Sequence, residues 1–251
     1  MADLLAAVDP SDPRIAFTIA ITALAGFVRG FTGFGAGMIM IPAIGATYDP
    51  VTAIILLFIV DAGATTPMLL PHFRNCRWAE VGPVALAASA AFPLGLAFLL
   101  STDPVIVRWM LSLFVLAVTV LLAAGWRYRG EPGIGRSLAV GGGMGALSGA
   151  IGLGGPLIVL FWLGGPERAA RVRSNIFAFF GLFSVVSFLG FWWNGLFTPA
   201  RTLAGLALLP LYAGLVLVGS RLFDRSSDET YRRAALALCG LIAVASMPVW
   251  R

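Results

Sequence analysis

The chain has 251 residues, of which 59% are hydrophobic and only 12% charged, and its mean hydropathy is +0.92. An average soluble domain carries about 25% charged residues, so the polar groups here are too few to cover a soluble globule, and the composition points to a membrane. The net charge of +5 comes from 17 arginines without a single lysine, scattered between apolar runs; this excludes a nucleic-acid-binding patch and reads as a set of topology determinants.

In chain order, Met1 to Pro13 carry Asp3, Asp9 and Asp12 and no basic residue, so no cleavable signal peptide is expected and the first apolar segment itself drives insertion. Eight apolar segments follow, at about 15–46, 51–71, 78–101, 104–126, 135–165, 174–196, 199–222 and 231–249. A single span takes roughly 20 residues, which suits six of them. The first and fifth are overlong. Some 32 residues in one helix would reach about 48 Å, against a hydrocarbon core of about 30 Å.

Those two segments share a glycine pattern, Gly30-Phe31-Thr32-Gly33-Phe34-Gly35 in the first and Gly149-Ala150-Ile151-Gly152-Leu153-Gly154 in the fifth. The offset (149 − 30) is 119 residues, and it also matches Gly45 with Gly164. Glycine inside a helix costs roughly 1 kcal/mol relative to alanine, so a triple pattern used twice predicts unwound backbone at two related places. Irregular backbone survives at membrane depth only where it is packed in protein or lines a wet cavity. Paired breaks in two halves of a chain point to a transporter's substrate site. The competing reading is close helix packing of the small-xxx-small kind.

Each overlong segment is either a tilted broken span or a re-entrant hairpin, and arginine placement favours the hairpin. Eight simple crossings would split sixteen flanking arginines evenly between the two sides. With hairpins at segments one and five, Arg74, Arg77, Arg127, Arg129, Arg136, Arg168, Arg171, Arg173, Arg221, Arg225, Arg232 and Arg233 share one side, leaving Arg14, Arg108, Arg201 and Arg251 opposite. That is the positive-inside asymmetry. The predicted fold class is therefore an all-α polytopic membrane protein of two inverted repeats, each a glycine-broken segment plus three transmembrane helices. The repeats are 1–129 and 130–251, together one transmembrane domain, joined by the polar loop Arg127 to Gly133 with both termini periplasmic.

With Gly30 to Gly37 leading to Pro42, and Gly149 to Gly154 followed by Gly155-Pro156, the chain resembles the TauE/SafE family of bacterial membrane proteins, the sulfite and organosulfonate exporters. Length, duplicated halves and segment count agree over essentially the whole chain. The resemblance implies an anion permease of the bacterial inner membrane, multi-pass, moving small sulfur-containing or organic anions by coupling to an ion gradient.

Candidate substrate-binding residues are Arg29, Gly30, Thr32, Gly33, Phe34, Gly35, Gly37, Ser148, Gly149, Gly152, Gly154 and Gly155. Unwound glycine backbone presents amide N–H groups, and half-helix N-termini attract anions. Arg29 follows about fourteen apolar residues, and a membrane-embedded arginine faces a cavity or a partner; its planar fork suits paired sulfonate, sulfite or carboxylate oxygens. The competing roles are snorkelling or a structural pair with Asp61. Ser148 is the repeat equivalent of Arg29, whereas Thr32 maps onto Ile151. Asp61 lies mid-segment and is the candidate for carrying a coupling proton. Ser174 and Asn175 either cap the sixth segment or reach a cavity mouth. Trp192, Trp193 and Asn194 read as an interfacial belt, and His72 as a loop residue.

Cys76 and Cys239 support neither a disulfide nor a metal pair, and no catalytic, metal-spaced or nucleotide motif is present. The expected activity is not enzymatic, without cofactor or metal. It is secondary transport by alternating access, with a proton or sodium ion as coupling partner, the lipid bilayer as surroundings, no nucleic acid, and a homo-oligomer left open. A negative-inside potential favours anion efflux by about 2.3 kcal/mol per charge per 100 mV, which suits export. The rival readings are a passive anion channel and a membrane-embedded enzyme.

Overall fold

The computed structural model describes residues 12–32, 35–124, 133–163 and 169–223. Every regular element among them is helical. In chain order these are α1 (Pro13–Thr32), α2 (Ala36–Thr47), α3 (Pro50–Thr65), a 3-10 turn (Thr66–Met68), α4 (Leu69–Asn75), α5 (Trp78–Ser101), α6 (Pro104–Ala123), α7 (Ile134–Ile151), α8 (Gly155–Leu163), α9 (Ala169–Trp193) and α10 (Pro199–Phe223). Four of the described helices are long and apolar enough to cross a membrane, lying in α5, α6, α9 and α10. The protein is an all-α polytopic membrane protein.

Local sequence accounts for several boundaries. Asp49 caps α3 by accepting from the Thr52 amide, with Pro50 at the first helical position, where its missing N–H costs nothing. Gly195 ends α9 in the left-handed region at φ 64, where the Leu196 amide donates to the Phe191 carbonyl and the Gly195 amide to the Trp192 carbonyl. That closure needs a residue free of Cβ strain. Both overlong segments are broken, the first between α1 and α2 and the fifth between α7 and α8. The second expected segment extends beyond residue 71 to Asn75 through the 3-10 turn. The sixth starts earlier than expected, at Ala169, with Arg171 exposed on the first turns of α9. The eighth expected segment, 231–249, and most of the linker between the halves lie outside the described residues.

Helix directions follow from which residues meet. Gly141, Gly145 and Gly149 of α7 sit on the backbone of α5, where an added Cβ would stand 2.4, 2.1 and 2.4 Å from the carbonyl oxygens of Val84, Ala88 and Phe92. On α1, Cβ atoms at Gly26 and Gly30 would stand 2.8 and 2.0 Å from the carbonyl oxygens of Tyr212 and Val216 on α10. Residue numbers rise together in both pairs, so α7 runs parallel to α5 and α1 parallel to α10. Gly205 abuts Ile59 and Gly63 abuts Leu209, so α3 is also parallel to α10. Gly37 lies against Leu57 and Gly45 against Ala53, which makes α2 antiparallel to α3. Near its start α9 meets α5 through Asn175 and Glu80, and further along through Phe183 and Phe191 against Phe92, again a parallel pair. Hence α1 and α3 point the same way with α2 carrying the chain back between them, and α7 and α9 do likewise on either side of α8.

The two short helices occupy the centre. In α2, Met38, Ile39, Met40, Ile41 and Ile44 are all buried, and in α8 so are Ile158 to Trp162. A helix apolar on every side is surrounded by protein or by lipid, and the burial of these residues shows that here it is protein. The long helices differ. Leu86, Leu94, Val120 and Trp193 are strongly exposed on them, the apolar outer surface that a bilayer solvates.

Candidate functional site

Gly35 (φ 97) starts α2 and Gly152 (φ 72) ends α7, both in the left-handed region that favours glycine. Gly35 is the N-cap of α2 and supplies no side-chain acceptor, so the first amides of that helix have no side-chain cap. The two breaks come together: a Cβ on Gly37 would lie 2.8 Å from Leu153, and one on Gly152 would lie 2.7 Å from Ile41 and Ile54. Beside them opens a cavity of about 180 Å³. The starts of α2 and α8 both reach its wall, through Gly35 and Gly37 on one and Gly155 on the other, with Gly152 between. An N-terminus from each half of the chain therefore faces the same space.

Arg29 and Asp61 line this cavity as a forked ion pair. Arg29 Nε donates to Asp61 Oδ1 at 2.9 Å and Nη2 to Oδ2 at 3.3 Å. The Tyr212 hydroxyl donates to the same Oδ1 at 2.8 Å. Three donors thus satisfy a carboxylate that is 31% exposed, against 12% for Arg29. The pairing of Arg29 with Asp61 weighed in the sequence is present, and both partners stand at the cavity. The pair is neutral as a unit, so Asp61 offsets the charge of Arg29 where the two face the cavity.

The remaining candidates separate. Ser148 lines the cavity, its hydroxyl donating to Met144 Sδ at 3.7 Å. Gly30 and Gly149 stand inside α1 and α7 and serve the close backbone packing described above. Gly154 folds back on the end of α7, where a Cβ would stand 2.4 Å from the Met144 carbonyl oxygen. None of these three is among the cavity's lining residues. Thr32 is the last residue of α1, while Gly33 and Phe34 lie outside the described residues. Ser174 and Asn175 fall within α9 rather than at its start, and are likewise not among the lining residues. Ser174 Oγ contacts His72 Nδ1 at 3.3 Å, and Asn175 Oδ1 accepts from the Arg77 amide, so it caps α5 instead of its own helix.

Residues that single-segment reasoning passed over complete the wall: Phe58, Phe92, Phe183 and Phe191, with Ser184 and Ser187 on α9. Tyr212 is a further one; a tyrosine midway along a long apolar helix was the available signal. Among the described residues no group of three or more His, Cys, Asp or Glu could hold a metal.

Outside the membrane-spanning helices, Cys76 is half-buried, and burial pushes its thiol above the ordinary range. Because the thiolate is the reactive form, labelling of Cys76 by a maleimide is expected to be slow near neutral pH and to accelerate through the alkaline range. A rate already maximal at pH 7 would contradict this.

No curated protein and no solved structure matches the chain. The family model described as sulfite exporter TauE/SafE matches residues 18–246. The match spans both breaks, Arg29, Asp61 and every wall of the cavity, and the chain belongs to the TauE/SafE family.

Proposed function

We propose that this protein is a secondary transporter for a small sulfur-containing or carboxylate anion, working by alternating access in the direction of export from a bacterial inner membrane. Family membership indicates the coarser statement, a membrane transporter of the anion-exporter type. One observation carries the finer reading: a half-helix N-terminus from each half of the chain opens on one cavity that also holds Arg29. Partial positive charge at both helix ends, amides and a guanidinium converge where an oxyanion would sit. Asp61 is the coupling residue. An anion competes with it for Arg29, so anion affinity is expected to rise in Asp61→Asn, where no carboxylate holds the guanidinium.

Two inverted repeats are the architecture we infer around this site, 1–129 and 130–251. The reciprocal pairing supports it: α1 rides on α10 while its equivalent α7 rides on α5, and α3 follows α10 while α9 follows α5. The return of the chain over α2 and α8 supports re-entrant hairpins. The test is accessibility of single cysteines at Ala79→Cys and Ala169→Cys in a Cys76→Ala, Cys239→Ala background. Both should react with an impermeant maleimide from the cytoplasmic side; reaction from opposite sides eliminates the inverted repeat.

The function is tested by a thermal-shift screen against sulfite, sulfoacetate, thiosulfate, sulfate and short carboxylates, followed by counterflow in proteoliposomes. Saturable counterflow is expected. Conductance far above carrier turnover would establish a channel in its place. Leucine at Gly152 meets Ile41 and Ile54 and demands φ 72 of a side-chain-bearing residue, so Gly152→Leu should abolish counterflow. Gly33→Leu should do the same. Normal counterflow in both well-inserted variants would reduce the breaks to packing features.

A further inference from the structure

Beyond the cavity, the described residues hold two polar clusters, and they stand at opposite ends of the bundle. The first joins the turn before α5 to α9. The Arg77 amide donates to Asn175 Oδ1 at 2.8 Å, Asn175 Nδ2 donates to Glu80 Oε2 at 3.0 Å, and Arg77 Nη1 donates to Glu80 Oε1 at 3.0 Å. Glu80 and Asn175 are both buried, and the His72 ring stacks on Phe177 beside them at 4.4 Å. The second joins the start of α10 to the start of α3. Arg201 Nε donates to Thr52 Oγ1 at 3.0 Å, Arg201 Nη2 lies 3.9 Å from Asp49 Oδ1, and the Thr52 hydroxyl donates to Asp49.

The two clusters are counterparts. Each ties the first turns of the long helix that carries a glycine-packed partner (α5 or α10) to the first turns of the parallel helix of the other half (α9 or α3). Because α3 and α10 run together, α5 and α9 run together, and α10 turns back from α9 over the short turn at 194–198, the clusters lie at opposite membrane faces. The cavity lies between them. Its wall begins at Leu69 and Phe180 on the side of the first cluster and at Ile54 on the side of the second, within about two helical turns of each cluster at 1.5 Å per residue.

We propose that Arg77–Glu80–Asn175 and Arg201–Asp49–Thr52 are paired latches that close the cavity toward opposite faces of the membrane, so that opening one while the other holds is what makes access alternate. This rests on the transporter reading for its purpose, but not for its geometry. Each latch sets a more exposed partner against a less exposed one: Arg77 is 53% and Glu80 10% accessible in the first, Asp49 40% and Arg201 24% in the second. The ion pair is 3.0 Å long in the first and 3.9 Å in the second, so the second is the looser.

The test reads access without any substrate. Ser184→Cys, on the cavity wall, is placed in a Cys76→Ala, Cys239→Ala background in proteoliposomes of defined orientation. Its labelling by a charged methanethiosulfonate added to one side or the other is timed. Glu80→Gln should raise the rate at least tenfold from the side of the turn between α4 and α5 and leave the other side unchanged. Arg201→Gln should do the reverse, with a smaller gain. Arg77→Gln and Thr52→Val repeat the two arms with smaller perturbations should either first variant fail to fold. Rates unchanged in all variants, or raised from the same side by both clusters, overturn the latches. Loss of counterflow with the expected sidedness intact would instead sink the transporter reading alone.

Discussion

Arg29→Gln should cut affinity for the transported anion by about 30-fold or more, and should also destabilise the protein. Truncating a buried charged donor commonly costs roughly 2–5 kcal/mol of binding, and each 1.4 kcal/mol is about tenfold. The stability effect has a separate origin. Removing Arg29 leaves Asp61 with the Tyr212 hydroxyl as its remaining side-chain donor among the bonds described above. Breaking a buried pair from one side costs about 3–5 kcal/mol, and the 31% exposure of Asp61 puts this case at or below the lower end. Asp61→Asn in the same chain removes the stranded charge and should restore thermal stability without restoring affinity. Arg29→Lys keeps the charge and loses the fork, so its affinity should fall between wild type and Arg29→Gln. The measurements are anion titration by thermal shift and the melting temperature of the two single variants and the double variant. Unchanged affinity in a folded Arg29→Gln protein removes this residue from the site. Recovery of affinity in the double variant would mean that Arg29 serves only to neutralise Asp61.

A single methyl group at Gly145 should do more damage than most larger changes elsewhere. Its Cβ would stand 2.1 Å from the Ala88 carbonyl oxygen, in the middle of the α5–α7 contact. Neither atom is the end of a flexible side chain, so the whole helix must move away, opening the contacts at Gly141 and Gly149 as well. Overpacking a tight contact costs typically 1–3 kcal/mol and occasionally more, and the rigid backbone on both sides puts Gly145→Ala at the upper end. Gly143 on the same helix has nothing within 4 Å of its added Cβ. Gly143→Ala should therefore be neutral or stabilising by up to about 1 kcal/mol, since alanine is the better helix former. The two variants make the same Gly→Ala change two positions apart, so composition and length are controlled. Melting curves followed by size-exclusion in detergent should show Gly145→Ala several degrees below wild type and Gly143→Ala at or above it. Equal melting temperatures would mean that α5 and α7 are less closely joined than their backbone contacts indicate.

Elements that depend on local chemistry were legible in the run of residues. Apolar length set α5 at residues 78–101, because a run of that length must span or be buried. Excess length together with repeated glycine located both breaks, because some 32 residues cannot cross a hydrocarbon core of about 30 Å as one upright helix. Depth in an apolar segment was enough to single out Arg29 and Asp61 and to raise their pairing, since charges at that depth need partners. What each glycine does depends on how the helices pack. Gly30 and Gly35 belong to one six-residue motif, yet Gly30 lies beneath Val216 of α10 while Gly35 turns the chain at the cavity. The difference is which helix packs against each position, and no property of the motif encodes that. Tyr212 reaches Asp61, and Asn175 caps α5, across separations of 151 and 98 residues. Such contacts exist only once parallel helices from opposite halves are set side by side, an arrangement carried by the complementarity of whole helix faces and not by any local run of residues.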